Sequence, residues 1–162
     1  MATHESSPTW KLSQYTVAVP LTLWEAAKAN NPAELVQLLD AGAQIDERDH
    51  RGYAPLMLAA YAGNLEAVEL LLARGADPNT EDLFGNTVLM GAAFKGHVAI
   101  VARLLAAGAD PATTNHGGLD ARGFALAFGR TDVFVLLQHC THAGQICPSG
   151  LAHDAAAARD VL

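Results

Sequence analysis

Residues 49–81 read DHRGYAPLMLAAYAGNLEAVELLLARGADPNTE, and residues 82–114 read DLFGNTVLMGAAFKGHVAIVARLLAAGADPATT. Laid one over the other without a gap, the two stretches match glycine on glycine: Gly52 on Gly85, Gly63 on Gly96, Gly75 on Gly108. The same 33-residue step reaches Gly118 and Gly129 in one direction and Gly42 in the other. The pairs Ala26-Ala27, Ala59-Ala60 and Ala92-Ala93 repeat with it, as do Leu38-Leu39, Leu71-Leu72 and Leu104-Leu105. A fixed period of this size, carrying two short apolar segments, is the signature of a stacked-repeat chain, in which each unit buries its apolar side against its neighbours.

One unit can be read residue by residue. Pro55 suits the first turn of a helix, where its missing N–H costs nothing. Leu56, Ala59 and Ala60 follow on one helical face, and small alanines allow neighbouring helices to approach closely. Gly63 ends this helix in a left-handed cap. Asn64 is placed to cap a second helix, whose Leu65, Val68, Leu71 and Leu72 form its buried stripe. Gly75 closes that helix, Ala76-Asp77-Pro78-Asn79 starts a loop, and Gly85 supplies a tight turn.

These residues sit on the pattern of the ankyrin repeat family, which the chain resembles over roughly residues 21–138. Asp49, Gly52, Pro55, Leu56, Ala59, Ala60, Gly63, Leu71, Leu72, Gly75, Ala76 and Asp77 carry the match in one unit. Gly85, Thr87, Leu89, Ala92, Ala93, Gly96, His97, Leu104, Leu105, Gly108, Ala109 and Asp110 carry it in the next. The resemblance implies an all-α solenoid of helix-turn-helix units joined by β-hairpin-like loops. Four repeats are expected, at 21–48, 49–81, 82–114 and 115–138.

The outer repeats are variants. In the first, Asn30 stands where Gly63 stands, and asparagine also tolerates a left-handed backbone. Asn31-Pro32-Ala33-Glu34 reads as a cap, a proline at the first helical position and an acid at the third. In the fourth, Arg122 falls where Leu56 and Leu89 are buried; a charge there must turn outward or pair. The spacing therefore predicts a shifted or frayed helix. Residues 1–20, with Trp10, Leu12, Tyr15, Val17 and Val19, are read as an N-terminal cap or tail. Residues 139–162 are read as a C-terminal half-repeat or capping helix, with Leu151, Ala155, Ala158 and Leu162 on one face.

The chain is 162 residues long and 51% hydrophobic, enough for one folded unit with a sizeable core. Its net charge is −7 and its pI about 5.3. With its lysines and arginines scattered, this argues against a nucleic-acid partner. Two cysteines make no disulfide framework, so a reducing compartment is the default. No apolar run is long enough to span a membrane. The polar Met1–Ser7 lacks the features of a secretory signal, so a cytoplasmic location is expected, although a removed signal would leave the same sequence.

The resemblance also implies where a partner would bind: the concave face, made of hairpin tips and the outer side of each first helix. Carried onto this chain, the tips are His50, Arg51 and Tyr53, then Leu83, Phe84 and Asn86, then His116 and Leu119. The helix positions are Trp24 and Lys28, Met57 and Tyr61, Met90, Phe94 and Lys95, and Phe128. Tyr61 and Phe94 lie one period apart and should stack. Exposed methionines and aromatics are common interface anchors; the alternative is that these side chains only pack against the hairpins.

Other candidates carry less. His97 is read as a structural cap. His139, Cys140, His142, Cys147 and His153 cluster near the C-terminus, but their spacing fits no strong metal pattern, and no cofactor is expected. A Cys140–Cys147 disulfide requires an exported protein, and the sequence does not fix the distance. No nucleophile–base pair, phosphate-cradling loop or carboxylate pair stands out, and Asp77 and Asp110 are equivalent loop residues. The chain is therefore read as non-enzymatic: a module that binds one protein partner as a monomer or in complex with it, rather than as a homodimer. An inhibitor, immunity or accessory protein is one form of this, with a basic nucleic-acid-cleaving partner as a guess from net charge. A secreted host-directed effector and a metal or redox sensor using the C-terminal cluster are the alternatives.

Overall fold

An aspartate and a glycine three residues apart set the shape of each hairpin. The computed structural model describes residues 22–140. In it, Asp49 Oδ1 accepts hydrogen bonds from the Arg51 and Tyr53 amides at 2.9 and 2.8 Å. Asp82 does the same for Phe84 and Asn86 at 2.8 and 2.9 Å. Asn115 takes the place of the aspartate in the next hairpin and accepts from Gly117 and Leu119, both at 3.0 Å. The turn needs a left-handed residue in each case, and Gly52, Gly85 and Gly118 supply it at φ 82°, 75° and 77°. The hairpins are turns rather than sheets: their backbone pairing includes an isolated antiparallel bridge, Glu81 with Thr87.

Each hairpin leads into a helix pair. The inner helices are α1 (Leu23–Lys28), α3 (Pro55–Ala62), α5 (Val88–Lys95) and α7 (Ala121–Ala127). The outer ones are α2 (Pro32–Asp40), α4 (Leu65–Ala73), α6 (Val98–Ala106) and α8 (Thr131–His139). Among the described residues there are thus eight helices and no strand, the all-α solenoid the period implies. The inner helices start on side-chain caps where the sequence provides them. Thr22 and Glu25 form a reciprocal capping box, and the Thr22 amide, then its hydroxyl, hold the Glu25 carboxyl below its ordinary range. Thr87 accepts from the Met90 amide, and Asp120 from the Gly123 amide at 2.7 Å. Gly63 and Gly96 close α3 and α5 at φ 86° and 82°. Asn30, at φ 53°, replaces them in the first repeat as its sequence position predicts.

The core runs as a line down the stack. The alanine pairs 26–27, 59–60 and 92–93 are fully buried, with Leu56, Leu89, Val68, Leu71, Ile100, Val101 and Leu104 beside them. The inner helices pack on one another more closely than the outer helices do. Alanine on the inner row and leucine on the outer row account for this, and the stack curves with the inner row on its concave side.

Three side chains at one register lock neighbouring repeats. The Asn64 amide donates to the Ala27 and Lys28 carbonyls at 2.9 and 2.8 Å. Arg130 Nε donates to the Phe94 carbonyl at 3.0 Å. Between them in sequence, the His97 ring lies against Gly63, where a Cβ would stand 2.8 Å from its Cε1. Asn64 and His97 were expected to cap their own helices. Neither makes a side-chain cap bond: the Asn64 amide is used on carbonyls at the end of α1, and the His97 ring packs on Gly63 at the end of α3. Asn31 does cap its helix, accepting from the Glu34 amide at 3.2 Å.

The fourth repeat departs from expectation in a specific way. Helix α7 starts in register with α3 and α5, so it is not shifted, and it ends one residue short of theirs. Arg122 turns outward and pairs with Asp120 at 3.0 Å, which removes the cost of a buried charge. The expected caps, residues 1–20 and 139–162, lie outside the described residues except for His139 and Cys140. Cys140 is buried at the end of α8, and His139 Nδ1 lies 2.7 Å from the Val135 carbonyl. The other members of the C-terminal cluster, His142, Cys147 and His153, fall outside. Among the described residues no group of three potential metal ligands is found, and no helix is long and apolar enough to cross a membrane.

Candidate protein-binding face

The concave side carries an aromatic ladder that crosses three repeats. The Tyr61 and Phe94 rings stack nearly parallel, 9° apart, with centroids at 6.0 Å. Phe94 meets Phe128 edge-on at 4.5 Å, and Phe128 stacks with Phe124 at 6.4 Å. The one-period stacking of Tyr61 on Phe94 was legible in the sequence. The ladder's continuation to Phe124 was not, because Phe124 belongs to a repeat whose inner helix is poorly marked.

Lys95 adds charge to the ladder. Its ammonium lies 4.4 Å from the Tyr61 ring centroid and 5.7 Å from that of Phe94, within cation–π range. Tyr61 and Phe128 are about half exposed, at 46% and 50%. The hairpin tips stand beside them: Leu83 and Phe84 are the most open, and His50, Arg51, His116 and Leu119 are exposed as well. Large apolar side chains left open in this way form an exposed apolar patch on the stack.

Five expected members of the face are placed otherwise. Met57 and Met90 are buried at 6% and 1% exposure and belong to the core. Their thioethers face inward, where the gap between helices needs filling, and Met90 sulfur also accepts from the Thr87 amide at 3.4 Å. They support the face from beneath. Asn86 is half-buried and fully engaged: it donates to Asp82 at 2.9 Å and accepts from the Asn115 amide at 2.8 Å, tying two hairpins together. Trp24 is half-buried, and its indole N–H donates to the Glu47 carbonyl at 3.0 Å, pinning the loop after the first repeat. Tyr53 is half-buried against the core cluster.

One row beside the ladder was not among the expected residues. Leu58, Gly91 and Phe124 occupy the same register on α3, α5 and α7, and all three are half-buried on the side the ladder faces. The period alone could have found Leu58 and Gly91, which lie one helical turn before Tyr61 and Phe94, whereas Phe124 sits in the poorly marked fourth repeat.

The family comparison bears on what such a face does. The family described as ankyrin repeats, three copies, matches residues 23–115. The chain belongs to the ankyrin repeat family. Its matched ankyrin span takes in the first three repeats described above and ends at the first residue of the fourth. No curated protein matches the chain. Ankyrin repeats are generally protein–protein interaction modules and typically not enzymes. In this ankyrin stack the hairpin aspartates and the interrepeat locks fix the backbone, so the exposed tips and ladder are held on a rigid frame.

Proposed function

We propose that the protein binds one protein partner through its concave face, and that this binding is its output: it blocks, holds or tethers the partner, as an inhibitor or an accessory protein does. The observation that carries the reading is the ladder Tyr61–Phe94–Phe128, packed ring on ring across three repeats with Tyr61 and Phe128 half exposed to solvent. A ring that served packing alone would be covered by its hairpin, as Tyr53 largely is. Tyr61, Phe94, Lys95 and the tips His50, Arg51, Leu83 and Phe84 are the proposed contacts, with Leu58, Phe124 and Phe128 added. Aromatic anchors of this kind dominate interface energetics.

The test is affinity capture from lysate with the wild type beside a Tyr61→Glu/Phe94→Glu variant, read by mass spectrometry. Matched melting curves are needed first, since Phe94 is half-buried. A protein held by the wild type and lost with the folded variant supports the concave face. Equal capture by both moves binding to another surface and leaves the ladder as packing.

A further inference from the structure

The face has a notch at its centre that the fold does not require. Gly91 lies inside α5, where glycine weakens a helix relative to alanine. It is not among the positive-φ residues, so its backbone conformation does not demand glycine. A Cβ placed there would stand 3.8 Å from Tyr61 Cδ2, an ordinary contact, so packing does not demand it either. The same register holds leucine at 58 and phenylalanine at 124. The result is a stretch of bare backbone flanked by large apolar side chains, a place where another chain can come close.

The charge placed beside it is Lys95, whose ammonium lies 4.4 Å from the centroid of the Tyr61 ring that borders Gly91. Lys95 and Arg51 are exposed and take part in no ion pair among the described residues, and Lys28 shares the register of Tyr61 and Phe94. The carboxylates of the hairpins are turned into their own loops: Asp49 and Asp82 bind backbone amides, and Asp120 binds Arg122. Glu25, an exposed carboxylate bonded to Thr22, carries the acidic charge of this register two repeats away from Gly91, and Glu81 is half-buried at the base of its hairpin. The acids of the outer helices, such as Glu34, Glu66 and Asp132, lie on the other side of the stack.

We infer that the concave face takes an acidic, apolar segment of the partner protein, with an apolar side chain seated at Gly91 and a carboxylate on Lys95. This rests on the concave-face reading above and names the chemistry of its partner. It reverses what the net charge alone suggests: the chain is acidic, but the charge offered beside Gly91 is the Lys95 cation, and complementarity is decided at the contact.

Selection of a random 12-residue peptide library against the wild type, with the Tyr61→Glu/Phe94→Glu variant as the counter-target, tests it. The expected winners depend on Tyr61 and Phe94 and carry an excess of Asp and Glu beside Leu or Phe. Their binding falls at least tenfold with Lys95→Glu and with Gly91→Leu, weakens with salt, and falls less with Gly91→Ala, which keeps the helix intact. Winners that depend on the two aromatics but are neutral or basic overturn the inference and leave the concave-face reading standing. Winners indifferent to Tyr61 and Phe94 overturn both. Acidic winners unaffected by Lys95→Glu and Gly91→Leu overturn the assigned positions.

Discussion

Repeats two and three and repeat four follow the same register, yet they treat equivalent residues in opposite ways. Ala60 and Ala93 are fully buried between neighbouring inner helices, while Leu126, one period further on, is 67% exposed. Leu56 and Leu89 are core residues, and Arg122 at the same position is an outward charge paired with Asp120. What differs is the neighbour. An inner helix with a described repeat on each side needs a small residue where the next helix lands, and α7, with no further inner helix among the described residues, carries a large exposed one at Leu126. Position in a repeat therefore sets where a side chain points, and position in the stack sets whether it is buried.

The comparison can be broken most severely at a buried leucine. Leu104→Ala, at a fully buried site, should destabilise by about 2–5 kcal/mol, and Leu126→Ala by under about 0.5 kcal/mol. Urea unfolding of the two variants checks this; similar losses would mean that repeat four is packed like repeat three. The reciprocal change comes next. Ala93→Leu copies the fourth-repeat residue into the third and should cost about 1–3 kcal/mol by overpacking against α7.

Gly63 and Gly129 sharpen the contrast at the helix ends. Both have positive φ, but a Cβ at Gly63 meets the His97 ring and one at Gly129 meets nothing. Each alanine variant should lose on the order of 1–3 kcal/mol for backbone strain, with the larger loss at Gly63. A Gly63→Ala/His97→Ser double variant should recover part of the excess, and strict additivity of the two changes in a double-mutant cycle would remove the ring from the argument. The smallest effect has the opposite sign. Gly91→Ala should raise stability by up to about 1 kcal/mol, because the helix gains and nothing clashes. A fall in melting temperature would show that the fold itself needs this glycine.

The period made the fold legible. The glycine registers, the alanine pairs and Pro55 fixed the helices and their order, and Asn30 could be recognised as a stand-in for a glycine because backbone conformation is a local property. Tyr61 stacking on Phe94 followed from the same step. Met57 and Met90 were misplaced because helical spacing cannot distinguish the flank that lines the core from the flank that lines the groove when both are apolar. Asn64 and His97 were assigned to the helix they precede, since a local cap is the nearest partner a sequence suggests.

The 33-residue repeat by itself determined the architecture, the turn positions and the row on which Tyr61 and Phe94 stack, because each depends on contacts within one unit or between identical neighbours. The tertiary structure decided what the sequence left open. It put the methionines under the face, set Asn86 and Trp24 to holding hairpins and loops, carried the ladder through Phe124 and Phe128, and laid the Lys95 ammonium over the Tyr61 ring that borders Gly91. Those outcomes depend on distances between different repeats, and a one-dimensional pattern contains the order of the repeats but not the angle at which one lies upon the next.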